Sequence, residues 1–181
     1  MTTLRGTTSL VDAAVLVPVY RDDRGALTLV LVVRGPGGIH GHQVALPGGR
    51  REPEDANLRA TALREAEEEI GLKRERVEVL DDLPVVETVT TGFRIAPFLG
   101  RLIGPPPPWR PQDDEIAEVL EVPVAELVRP ESHGEETWQF PSWPEPRRVP
   151  FYRVGPFKLW GATYRIVHPL LPRLLAREWP I

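Results

Sequence analysis

The chain has 181 residues, 41% of them hydrophobic, which is enough for one domain with a substantial core. Its formal charge of −4 argues against a general electrostatic grip on nucleic acid, which needs clustered Lys and Arg contacts to phosphate. Cysteine is absent, so disulfides, zinc–thiolate sites and a cysteine nucleophile are excluded together.

Near the N-terminus only Ala13 to Val19 is continuously apolar. That run is too short to span a bilayer and lacks a signal-peptide cleavage pattern, so a cytoplasmic location without membrane contact is expected. Asp12 to Val19 and Leu27 to Val33 are β-branched runs separated by the turn formers Asp22, Asp23 and Gly25, and read as strand, turn and strand. Pro36 to His42 is a glycine-rich loop leading to the short apolar stretch Val44 to Leu46, which Pro47, Gly48 and Gly49 cut off.

From Asn57 to Ile70 no Gly or Pro intervenes, and Leu58, Ala62, Ala66 and Ile70 fall four apart. The spacing predicts a helix, with Asp55 as its N-cap and Gly71 as its left-handed stop. Apolar segments at Val77 to Leu80, Val85 to Val89, Phe93 to Leu102 and Ile116 to Val122 predict further strands of a mixed sheet, with the stiff run Pro105 to Pro108 between the last two. Pro130 to Pro150, rich in proline and carrying Trp138, Phe140 and Trp143, is expected to be a long surface excursion. Trp160 to Arg177 is expected to form a terminal helix bent or divided at Pro169 and Pro172.

The chemistry concentrates in the first helix. Glu65, Glu68 and Glu69 stand at i, i+3 and i+4, which brings three carboxylates onto one face, where like charges repel. Arg64 reaches Glu68 at i+4, but one arginine does not neutralise three acids. A hard divalent cation taking several oxygen ligands does, and Mg2+ or Mn2+ fits best in a chain with no Cys and four scattered His. A charge run taken alone is a solvated helix face. Here the exposed backbone of Leu46-Pro47-Gly48-Gly49 and the cations Arg50 and Arg51 lie just upstream, as a phosphate-binding site requires.

The segment LPGGRREPEDANLRATALREAEEEIGL resembles the box of the Nudix hydrolase superfamily, a glycine-rich loop followed by a helix ending in Arg-Glu-x-x-Glu-Glu-x-Gly. The box spans about residues 48–72 of a single domain expected over residues 1–181. Its first acid is Asp55 rather than Glu, one residue further than usual from Arg64. This is similar to the coenzyme A pyrophosphatase branch, as are Thr91-Gly92-Phe93, Ala96-Pro97-Phe98-Leu99-Gly100 and Leu159-Trp160-Gly161-Ala162-Thr163. In that branch's upstream element Arg34 and His40 match, whereas Gly38, His42 and Leu46 depart from the pattern.

The resemblance implies an α/β/α sandwich with a mixed sheet between helices. It implies metal-dependent hydrolysis of a nucleoside diphosphate linkage, foremost coenzyme A or acyl-CoA to 3′,5′-ADP and a 4′-phosphopantetheine product, with ADP-ribose, NADH or a capped RNA end as the rival substrates. Glu65, Glu69, Glu68 and the Gly48 carbonyl are the implied metal ligands. Glu68, Arg64 and Glu115 form the catalytic set, with Glu118 as the alternative to Glu115. Arg34, Arg50, Arg51 and Gly49 are the substrate-binding candidates. The partner is a small nucleotide, and the resemblance also admits a homodimer. Two other classes compete: a catalytically silent nucleotide-binding module, and an interaction protein built on the proline-rich segments.

Overall fold

The computed structural model describes residues 10–36, 42–88, 91–141 and 143–181. Gly38 and His40 lie outside the described residues, as does Val89 at the end of an expected strand.

Strands β1 (Val11–Arg21) and β2 (Leu27–Arg34) form an antiparallel pair, with Asp22 accepting from the backbone N–H of Arg24 and Ala26 in the turn between them. Then come β3 (Val44–Ala45), β4 (Gly48–Arg50) and helix α1 (Leu58–Ile70). Strands β5 (Val77–Asp82), β6 (Val86–Thr88), β7 (Phe93–Leu102) and β8 (Ile116–Pro123) complete an eight-stranded sheet. Its centre is a parallel β1–β7 ladder, flanked by antiparallel pairs, so the sheet is mixed as expected.

Alternation along β1 and β2 divides the core in two, because successive side chains of a strand point to opposite faces. Ala14, Leu16, Val30 and Val32 face α1 and pack against Ala62, Ala66 and Ile70. Val17, Val19, Leu29 and Leu31 face the other way, toward Leu159, Val167 and Leu171. The sheet thus lies between α1 and a second layer, the sandwich that was expected.

That second layer corrects the reading of residues 130–150. After the single-turn helix α2 (Val124–Leu127), the chain forms β9 (His133–Trp138), β10 (Arg147–Val154) and β11 (Phe157–Leu159), a separate antiparallel sheet in the order β11-β10-β9. The stretch is therefore part sheet, in His133–Trp138 and from Arg147 onward, with Pro141, Pro144 and Pro146 between the two strands. Pro150 is tolerated because at that position β10 pairs with β9 alone, while β11 reaches only Tyr152 to Val154. Helix α3 (Gly161–Leu175) runs unbroken through Pro169 and Pro172 and is not divided.

The start of α1 also differs from expectation. Asn57, with extended backbone, is the N-cap, and its side chain accepts the N–H of Ala60 at 2.9 Å. Asp55 is engaged elsewhere. Gly71 ends the helix in the left-handed region at φ 70°, as its position predicted, while the N–H of Leu72 closes on the Ala66 carbonyl.

Candidate functional site

The site is built where β4 and α1 meet. β4 runs antiparallel to β1, with Gly48 opposite Val15 and Gly49 opposite Ala14. A side chain at Gly48 would drive its Cβ to 2.3 Å from the Ala14 carbonyl oxygen, so only glycine lets the loop lie this close to β1. At Gly49 the obstacle is Glu65, whose Oε1 would be 2.4 Å from an added Cβ. The glycine pair exists to bring backbone and carboxylates together.

The three glutamates do not share one exposed face. Glu69 belongs to the buried stripe of α1, adjoining Ala66 and Ile70, and is 1% exposed. Its Oε2 accepts the N–H of Gly48 at 2.9 Å, and its Oε1 lies 3.5 Å from Nη1 of Arg34. Burial pushes its carboxyl up to about 7 against the opposing pull of Arg34 and the Gly48 N–H, and the charges of Glu65 and Glu115 add to the rise. Glu65 is half-buried beneath Gly49, and burial again raises its carboxyl, opposed by Arg64. Glu68 is half-exposed and accepts from Arg64 Nη1 at 2.8 Å.

Arg64 organises this end of the helix. Its Nε and Nη2 clasp the two oxygens of Asp55 at 3.0 and 3.1 Å, and its Nη2 also donates to the Arg50 carbonyl and lies 3.1 Å from Glu65. Asp55 further accepts the Thr61 hydroxyl and the Glu52 N–H, both at 2.9 Å. The guanidinium clasp holds the Asp55 carboxyl down at about 2, below its ordinary 3.8. Thr61, fully buried, is a member of this network that sequence reasoning missed; its position six residues after Asp55, on the inner face of α1, was the available signal.

The remaining candidates separate. Glu115 is near enough for its charge to act on both Glu65 and Glu69, and its carbonyl accepts the N–H of Gly35. Glu118 instead lines a groove of about 360 Å³ with Glu121, Glu126 and Arg153. Arg34, in addition to facing Glu69, donates from Nη2 to the Gly48 carbonyl at 3.1 Å. Arg50 lies over the Phe93 ring at 5.2 Å, and Arg51 donates to the Asp55 carbonyl at 3.2 Å. His42, at a left-handed φ of 61°, donates its N–H to the Arg34 carbonyl.

Among the described residues, no three acidic or histidine side chains converge on one point in a way that encloses a cation. Arg64 draws Glu65 and Glu68 to itself, while Arg34 and the Gly48 N–H hold Glu69. The donor set nevertheless fits a hard divalent ion. It consists of carboxylates and the Gly48 carbonyl, all oxygen, and their surplus negative charge is balanced by guanidinium groups on flexible stems.

A mixed sheet between helices, with a glycine loop backed by helix carboxylates, defines a Nudix-type protein. A family model described as the NUDIX domain matches residues 10–143, and the chain belongs to that family. It is 42% identical over 121 residues to proteins described as the uncharacterized Nudix hydrolase NudL in Salmonella newport and Salmonella enteritidis. The match covers 65% of this chain and spans 60% of those relatives' length. Among solved structures, a MutT/nudix family protein from Enterococcus faecalis superimposes with a TM-score of 0.62 at 18% identity, covering 97% of this chain and 66% of that one. The C. elegans Ap4A hydrolase gives 0.53 at 19% identity, over 64% of this chain and 82% of that one. Both share the fold.

Proposed function

We propose that this chain is a single-domain, metal-dependent diphosphatase that hydrolyses a nucleoside diphosphate linkage in a small molecule. The observation that carries this reading is the meeting of Glu65 and Glu69 with the backbone of Gly48 and Gly49. Glu65, Glu69, Glu68 and the Gly48 carbonyl would hold Mg2+ or Mn2+. When bound, such an ion neutralises charge on the phosphate oxygens and makes a coordinated water a better nucleophile.

The protein's own groups do the rest. Glu68, half-exposed at the helix surface, would accept a proton from water. Arg64, clasped by Asp55, fixes the spacing of Glu65 and Glu68 and acts as a positioning residue. Glu115 supplies a further acid from across the site. Arg34, Arg50 and Arg51 would meet substrate phosphates beside the loop, together with the part-buried backbone of Gly49.

For the substrate, coenzyme A or an acyl derivative is the leading reading, supported by the Asp55 spacing, Arg34, and the segments around Ala96 to Gly100 and Leu159 to Thr163. The departures at Gly38, His42 and Leu46 favour the second reading, a Nudix pyrophosphatase for ADP-ribose, NADH or another nucleoside diphosphate derivative. We place the enzyme in the cytoplasm; no described helix is long and apolar enough to cross a membrane. Incubating the purified protein and Mn2+ with coenzyme A, ADP-ribose and NADH, then identifying products by mass spectrometry, decides between them. Release of 4′-phosphopantetheine is expected; cleavage of ADP-ribose or NADH alone overturns the coenzyme A reading, and cleavage of nothing overturns the enzyme.

A further inference from the structure

Arg34 stands in an unusual place for a residue whose only task is to meet substrate. Its guanidinium spans two oxygens, with Nη2 on the Gly48 carbonyl at 3.1 Å and Nη1 3.5 Å from Glu69 Oε1. Those are two of the oxygens assigned above to the metal. We infer that the Arg34 guanidinium is a resident stand-in for the divalent ion, holding the Gly48 carbonyl and Glu69 in place until the metal displaces it. This inference rests on the proposed metal site.

The geometry decides which partner moves. Glu69 is 1% exposed and tied to the Gly48 N–H, and Gly48 is pinned against β1, so neither follows a departing cation. The Arg34 side chain is one-third exposed and therefore has a way out. Its backbone does not move with it: the Arg34 N–H donates to the Gln43 carbonyl, its own carbonyl accepts from His42, and a bulge between Val33 and Arg34 sets it against Ile116 of β8. Two cations competing for the same carbonyl and carboxylate repel one another, so occupancy by the ion and by the guanidinium is mutually exclusive. The displaced guanidinium swings from a fixed Cα at the rim, where it becomes a cation for a substrate phosphate. Binding of the ion is thereby coupled to preparation of the diphosphate site.

The sign of one measurement separates this role from simple structural support. In alkaline buffer, where protons compete little for Glu69, Arg34→Gln should bind Mn2+ about tenfold more tightly than the unaltered protein, read from free Mn2+ by electron paramagnetic resonance. Unchanged or weaker binding, with the unaltered protein binding normally, overturns the inference while leaving the metal site intact. If neither protein binds Mn2+, the metal site itself has failed. A second measurement needs no altered fold. In the unaltered protein, added Mg2+ should free the Arg34 side chain, so that its guanidinium protons pass to faster solvent exchange by NMR, with the signal identified by its absence in Arg34→Lys. Exchange that Mg2+ leaves unchanged overturns the inference.

Discussion

At Gly49 a single methyl group would collide with the Glu65 carboxylate, 2.4 Å away. We expect Gly49→Ala to keep the fold, because Glu65 is half-buried and its side chain can give way, yet to lower kcat about a hundredfold by misplacing a proposed metal ligand. Circular dichroism beside the diphosphatase assay checks both halves. Asp55 is a different kind of residue. It sits under the site as the buried anchor of Arg64, so Asp55→Asn should cost about 3 kcal/mol by leaving a guanidinium poorly paired. Because the folded carboxyl is held at about 2 rather than 3.8, its contribution is present above its ordinary value and is lost as pH falls through both. Acid unfolding of the Asn variant should therefore be less steep over that window, and equal slopes would argue against the clasp.

At the scale of elements, α1 was legible because its apolar spacing and its glycine stop are local signals. The sequence does not tell Asp55 from Asn57 as the N-cap, because two side chains of similar chemistry stand two residues apart, and only the tertiary contact with Arg64 tells which of them is occupied. The same limit hid the burial of Glu69: the spacing placed three acids together, but the offset of three from Ala66 puts Glu69 on the edge of the apolar stripe. The β9 to β11 sheet was not legible, since β9 alternates exposed with half-buried residues, with no apolar run, and prolines flank or enter its partner. Leu159, fully buried, anchors it in the core beside Val44 of β3, together with Tyr152 and Val154 of β10. Leu159→Ala should destabilise the protein by about 3 kcal/mol in chemical denaturation. A loss confined to a few tenths would mean that the small sheet is held by other contacts.

For the molecule as a whole, β1 and β2 serve two cores at once, one toward α1 and the carboxylates, the other toward α3 and the small sheet. The parallel β1–β7 ladder joins residues about 80 positions apart, from Val11 opposite Phe93 to Val19 opposite Arg101, and the chain between them carries the glycine loop and α1. Closing such a long loop is slow compared with forming a helix. Gly48 and Gly49 are held to β1, and Glu115 precedes a strand that pairs with β2, so the groups of the proposed site come together only after these distant closures. On dilution from denaturant, helical signal should recover first and catalytic competence last. A stopped-flow trace in which both return together would show that the long-range closure is not the slow step.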